Sequence, residues 1–370
     1  MIQWRYVLFL GLMLASCHKS KRATFSGKVE ITHIKIPITH KQLNTYPISH
    51  AFEEQGIPKL VGYNKPAHAL NFFDLVAEKA GEVVPLEKQG PNGIGDIKSI
   101  YYHNQDSIFL YEQGKLQIVN LQGRLTQSMD LFELVDVKQY GMPVCNLFFK
   151  LNYQAENHTL LFTLINQKKP IEGSLVAALD IKNSQVAYLP ISHTQVFKDR
   201  KGQVGYMRNI GFYGYWQGKI LYNFQYASSL FLYDPNGPEP LIQSSGLETA
   251  EAETVAMLED KAPSEAYDQH MLQSTWYFTV MPDPWRNLVY RLEWGAPNPK
   301  YEHPSNMEKS MIFSVFDKQL QYLYSYPLPD HTYELNNWFV NKNGLYLNAS
   351  HPKNTASGED FMEFDVLKFK

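Results

Sequence analysis

The 370-residue chain sets 34 Lys and Arg against 37 Asp and Glu, a formal net charge of −3, and is 44% hydrophobic and 14% aromatic. Matched charge with no Lys/Arg stripe excludes the positive footprint that nucleic-acid binding needs, and the hydrophobic share is too high for a disordered chain. With only two cysteines, Cys17 and Cys145, a disulfide-rich scaffold is excluded too, and stability falls to the core.

The chain opens on one basic residue, Arg5, followed by an apolar run over 6–14. Crossing a bilayer as a helix takes roughly 20 apolar residues, so this run has the length of a signal-peptide core. It closes on Leu14-Ala15-Ser16-Cys17, which resembles the bacterial lipobox. The resemblance implies that residues 1–16 are removed as a lipoprotein signal peptide and that Cys17 is acylated, with the lipid bilayer as its partner. Residues 17–27, with His18, Lys19, Lys21 and Arg22 close together, read as a flexible tether, and 28–370 as one domain. Cys145 then has no partner. It lies in the apolar run Val144-Cys145-Asn146-Leu147-Phe148-Phe149 and reads as a buried, inert thiol, since a reactive one needs an exposed electropositive setting.

Beyond the tether the pattern is short strands and turns. A strand-like segment over 29–38 comes first, then a unit of strands at 59–63, 69–77 and 82–87. The second unit, at 99–103, 107–112, 115–121 and 124–131, is rich in Ile, Tyr, Phe and Val, which suit a half-buried pleated surface. The third covers 147–153, 159–166, 174–181 and 185–191; the fourth 207–215, 219–225 and 229–233. Asp234-Pro235-Asn236-Gly237 ends the fourth unit as a turn, with proline preset at its second position and glycine at its fourth. The fifth unit is 276–280, 287–294, 310–317 and 321–327, and the last is 335–341, 344–350 and 360–370.

Six small antiparallel units repeated along a chain predict a β-propeller, all-β, with six blades expected over seven. The final unit is one strand short, so the segment over 29–38 is expected to complete it and close the ring, removing an exposed sheet edge. Only one segment departs from the pattern. Residues 247–260 are alanine- and glutamate-rich, with Leu247, Ala250, Val255 and Leu258 roughly on one face. They predict an amphipathic helix inside an insertion at about 245–270.

The stretch Glu87-Lys88-Gln89-Gly90-Pro91-Asn92-Gly93-Ile94-Gly95, followed by Asp106-Ser107-Ile108-Phe109-Leu110, resembles the DUF4221 family of Bacteroidetes lipoproteins. A second match is Asp283-Pro284-Trp285-Arg286-Asn287-Leu288-Val289-Tyr290-Arg291-Leu292, similar to that family's aspartate-x-x-arginine followed by tyrosine-arginine. The resemblance implies a six-bladed, TolB-like propeller and implies no activity. No acidic residue directly follows Cys17. Acidic residues there resemble the signal that sends some Bacteroidetes lipoproteins to the cell surface, so a periplasm-facing place on the outer membrane is expected.

Gly90, Gly93 and Gly95 superficially resemble a phosphate loop, but no Gly-Lys-Ser/Thr follows and a strand comes next, so a tight turn into a blade is expected. The twelve histidines form no His-x-x-x-His or His-Glu-x-x-His pair, and no metal or cofactor is assigned. Asp96, Asn146, Asn209 and Asn336 stand near the starts of units and could face the axis. Aromatic residues and arginines cluster around Arg208, Tyr215 and Trp216, and around Trp285, Arg286, Tyr290 and Arg291. Aromatic platforms stack on sugars or peptides and arginines grip carboxylates bidentately, so these seven are the candidate ligand-binding residues. Packing between blades, with an arginine satisfying a buried aspartate, is the competing role.

The expected function is a membrane-anchored propeller that binds an envelope protein, a peptide or a glycan. The alternative is a divalent-metal-dependent hydrolase or lactonase with its site in the central channel.

Overall fold

A narrow antiparallel sheet has two faces to bury and cannot do so alone. Here six such sheets stack side by side in a ring, a six-bladed β-propeller. The computed structural model describes residues 27–146, 149–169, 171–196, 210–237, 263–334 and 337–369. The first blade is Ser49–Glu54, Ile57–Asn64, Ala69–Asp74 and Lys79–Pro85. The second is Ser99–Asn104, Ser107–Glu112, Lys115–Val119 and Leu125–Asp130. Three strands are described in the fourth, Ile210–Trp216, Lys219–Phe224 and Leu230–Tyr233, and four in the fifth, from Trp276–Asp283 to Tyr322–Pro327. The expected turn after the fourth is present: the Gly237 N–H donates to the Asp234 carbonyl at 3.1 Å.

The last blade closes the ring as the sequence implies. Trp338–Asn341, Gly344–Asn348 and Phe361–Phe369 are joined by Val29–Pro37 on the outer edge. The register pairs Val29 with Phe369 and Pro37 with Phe361. In every blade the chain enters on the inner strand. Links between blades, and turns between second and third strands, therefore gather on one face, the mouth of the axial channel; the remaining turns lie on the far face. By the same logic Val29 and Phe369 meet at the far face and Pro37 and Phe361 at the mouth.

Inner strands touch their neighbours in sequence around the axis, and that of the sixth blade returns to that of the first. Between blades the filling is aromatic, as in the Phe52–Tyr102 stack at 3.8 Å between the first two. Cys145 is buried, free and pushed to a higher pKa by that burial, as expected of an inert thiol.

The third blade departs from the sequence expectation of a strand at 147–153. Its inner strand is split into Met142–Val144 and Asn152–Gln154, both paired with Thr159–Ile165. Between them Lys150 and Leu151 lie outside the ladder and reach the first two blades: the Lys150 ammonium donates to the Ser49 carbonyl and the Leu151 N–H to Ser99 Oγ at 2.9 Å. Asn152 then lies against Gly214 of the fourth blade, where φ is +108° and an added Cβ would fall 2.1 Å from the Asn152 side chain. Only glycine fits that approach.

Two further differences concern segments without a strong periodic signal. Ser49–Glu54 is a strand the sequence reading missed, and short helices Leu131–Leu134 and Val137–Tyr140 follow the second blade. The amphipathic helix over 247–260 lies outside the described residues; within the insertion a helix is described at Ser264–Gln273. Among the described residues no helix is long and apolar enough to cross a membrane.

Candidate functional site

Two cavities stand out. The larger, about 560 Å³, opens on the far face between the first and second blades. In it Lys59 pairs with Glu54, which also accepts from the Tyr102 hydroxyl at 3.0 Å and from Gln105 at 3.3 Å. The second, about 190 Å³, lies at the mouth face where the fifth blade passes into the sixth. It draws on three separate loops, which is how a propeller assembles a site from residues far apart in sequence.

A single turn, Asn306–Glu308, forms one wall of this mouth cavity. Its capping box is complete: the Ser305 N–H and hydroxyl donate to Glu308 Oε2 at 2.8 and 2.6 Å, and the Met307 N–H donates to Ser305 Oγ at 3.2 Å. Glu308 Oε1 accepts from the Lys353 ammonium and stands 3.6 Å from His331 Nε2. The Lys353 hydrogen bond, followed by those from Ser305, holds the Glu308 carboxyl down to about 2.

His331 stacks on His351 with ring centroids 5.3 Å apart. Burial, then the neighbouring His331 and Lys353, lowers the His351 pKa. His351 Nδ1 accepts the Lys353 N–H at 3.0 Å, so the ring proton sits on Nε2. Asp330 completes the polar rim. Burial works against its charge, but the Lys300 ammonium at 2.6 Å and the Tyr301 hydroxyl at 3.3 Å outweigh it and lower the pKa.

The apolar wall is Trp294, and over it, 5.0 Å from the ring centre, lies the Lys309 ammonium. Lys309 is buried and pushed down to about 7 by that burial. Its three donors reach the carbonyls of Met271, Leu272 and Ser274 at 2.9, 2.8 and 2.8 Å. These are the open carbonyls at the C-terminal end of the Ser264–Gln273 helix, so Lys309 pins the described part of the insertion against the cavity.

The residues singled out in the sequence do not converge on this cavity. Trp285 is 48% exposed at the far face. Beside it Arg286 Nη1 donates to the fully buried Asp283 at 2.8 Å and Nη2 to the Lys342 carbonyl at 2.8 Å, joining the fifth blade to the sixth. Tyr290 is buried and donates its hydroxyl to the same Asp283 at 3.0 Å; burial and that carboxylate raise its pKa.

Arg291 is fully buried between the fourth and fifth blades. It pairs with Glu293 at 2.9 Å, donates to the Ser228 carbonyl and covers the rings of Tyr277 and Phe316 at 4.5 and 5.2 Å. Tyr215 is half-buried and Trp216 buried on the fourth blade's inner strand. Arg208, Asn209 and Asn336 lie outside the described residues. Asp96 pairs with Lys65 and Lys98 at 2.9 and 2.6 Å at the mouth face, and Asn146 Oδ1 accepts the Phe149 N–H at 3.2 Å. The glycine stretch is a turn into the second blade, the Gly95 N–H donating to Glu112 Oε2 at 2.8 Å. Among the described residues no group of three or more His, Cys, Asp or Glu is placed to hold a metal ion.

Sequence reasoning missed the mouth cavity because Glu308, His331 and His351 sit on separate loops with no shared spacing. It also missed Lys150, the one cation inside an otherwise apolar run. Lys150 belongs to the segment that leaves the third blade's inner strand, and its ammonium donates to the Ser49 carbonyl of the first blade at 3.4 Å.

Residues 43–324 match the model of DUF4221, a domain of unknown function. No curated protein matches the chain. A DUF4221 protein from Bacteroides vulgatus has a similar solved structure, with a TM-score of 0.76 at 18% identity, covering 93% of this chain and 99% of its own. A protein of Bacteroides fragilis, described as a candidate exported protein, gives 0.60 at 12% identity and covers 94% and 98%. At such identities the likeness is one of fold.

Proposed function

The chain belongs to the DUF4221 family, and from that premise we propose that it is a lipid-anchored propeller outside the cytoplasm that captures a small polar ligand at its mouth face. The observation that carries the reading is the cavity between the fifth and sixth blades. Trp294 supplies an apolar wall, while His351 Nε2–H and the Asp330 carboxylate supply a donor and an acceptor in one enclosure. A drug-sized ligand takes roughly 300–1,000 Å³. A cavity of about 190 Å³ suits one sugar ring or one amino-acid residue, free or at the end of a longer glycan or peptide.

Thermal-shift titration against panels of monosaccharides, amino acids and dipeptides tests this. A ligand at a hundred times its Kd stabilises the folded chain by about 2.7 kcal/mol. At least one class is expected to raise the midpoint, and His351→Leu and Asp330→Asn are each expected to abolish that rise. A rise that survives both substitutions, or no rise with any class, removes the proposal.

The anchoring half rests on Leu14-Ala15-Ser16-Cys17 and on a similar fold described as a candidate exported protein. Radiolabelled palmitate is expected to enter the wild-type chain and not Cys17→Ala; equal incorporation refutes it.

A further inference from the structure

Ser49 opens the inner strand of the first blade, and Lys150 belongs to the third. The second blade stands between them. A Lys150 side chain that reaches the Ser49 carbonyl therefore passes in front of the second blade's inner strand, through the axial channel near its mouth. The split inner strand is what makes this crossing possible, because Lys150 stands outside the ladder between its two halves.

The ammonium has three donors, and the Ser49 carbonyl at 3.4 Å is a long bond for one of them. Among the described residues no carboxylate is paired with it. Lys150 is half-buried with no counter-charge beside it among the described residues, and burial pushes its pKa down to about 8.

The carbonyl that Lys150 contacts belongs to the residue before His50. His50 Nδ1 accepts the Tyr102 N–H at 3.1 Å, and the ring lies against Tyr101 at 4.3 Å. That acceptor role places the ring proton on Nε2. Burial, and next the charge of Lys150, hold His50 down to about 3, so the ring is neutral. Its Nε2–H has no acceptor among the described residues.

We propose that the axial channel binds a small oxyanion, a carboxylate or a phosphoryl group, held by the Lys150 ammonium and the His50 Nε2–H. The two sites are separate: this one lies on the axis, and the cavity of the fifth and sixth blades lies beside it. An anion supplies the acceptors that both donors lack and the charge that the ammonium lacks. A cation is excluded by Lys150, and a neutral ligand leaves its charge uncompensated. A point-charge ammonium and a single imidazole donor impose no planar fork, so carboxylate and phosphoryl oxygens share the chemistry.

Calorimetric titration of the full chain at pH 7 and low ionic strength, in a zwitterionic buffer, tests the proposal with inorganic phosphate in one arm and succinate in the other. Saturable binding is expected in at least one arm; phosphate alone identifies a phosphoryl ligand, and succinate alone a carboxylate. Lys150→Met is expected to weaken it about tenfold or more, His50→Phe about threefold, and Lys150→Arg to stay near wild type. Lys150→Met is also expected to melt at or above the wild-type temperature, since it removes an enclosed charge, so its loss of binding is not a loss of fold. No saturable binding in either arm, or unchanged binding in Lys150→Met, overturns the proposal.

Discussion

Deleting residues 27–37 is expected to cost on the order of 5 kcal/mol and to make the chain prone to aggregate. The segment supplies the outer strand of the sixth blade, paired along its whole length from Val29–Phe369 to Pro37–Phe361. Ile34 and Ile36 are buried against Met362, Phe364 and Tyr346. Burying such a side chain is worth about 1.5–3 kcal/mol, so two of them account for most of the loss. The ladder hydrogen bonds supply the rest. The ion pairs on this strand, Lys35 with Glu363 and His33 with Asp365, are part-exposed and contribute little. What the deletion leaves is Phe361–Phe369 still paired with Gly344–Asn348 but with its outer edge open, an edge on which another chain can add. Urea melts and size-exclusion chromatography measure both effects. A truncated chain that elutes as the full chain does, with an unchanged midpoint, contradicts this account of closure.

Arg291→Met is the second large expected effect, a loss of about 3–5 kcal/mol. The change leaves the Glu293 carboxylate fully buried without its guanidinium partner and the Ser228 carbonyl without its donor. The double variant Arg291→Met/Glu293→Leu is expected to recover most of that loss, because an apolar pair of similar volume avoids the desolvation of two charges. Equilibrium unfolding of the two variants reads the difference directly. Equal stability of the single and double variants would show that Glu293 does not depend on Arg291.

The fold was legible because each blade repeats one pattern, and the missing strand of the last blade had an obvious donor at 29–38. The inner strand Ser49–Glu54 was not legible. Its sequence, Ser-His-Ala-Phe-Glu-Glu, lacks the β-branched run that marks a strand. The split strand of the third blade was hidden for the opposite reason. Leu147, Phe148, Phe149 and Leu151 read as a strand by composition, yet Phe149 and Leu151 are buried from outside the ladder, in two different clusters.

The site was less legible still. Arg286 and Asp283, three residues apart, do pair, as the competing packing role anticipated, while Arg291 pairs with Glu293, an acid that role did not name. Neither fact could be told from ligand contact on the sequence alone, since an arginine asks for a carboxylate in both cases. The mouth cavity depends on how three loops meet, and Lys150 on where a seemingly regular strand breaks. Both are properties of tertiary packing.

The closing strand also sets where the proposed tether would leave the wheel. Val29 begins at the back of the wheel, beside Phe369, and a leash from an acylated Cys17 spans twelve residues at most, roughly 40 Å when drawn taut. On that proposed anchoring the back of the wheel is expected to be the side nearer the lipid. The hub and the neighbouring hollow would then look outward into the compartment, where a solute can approach head-on.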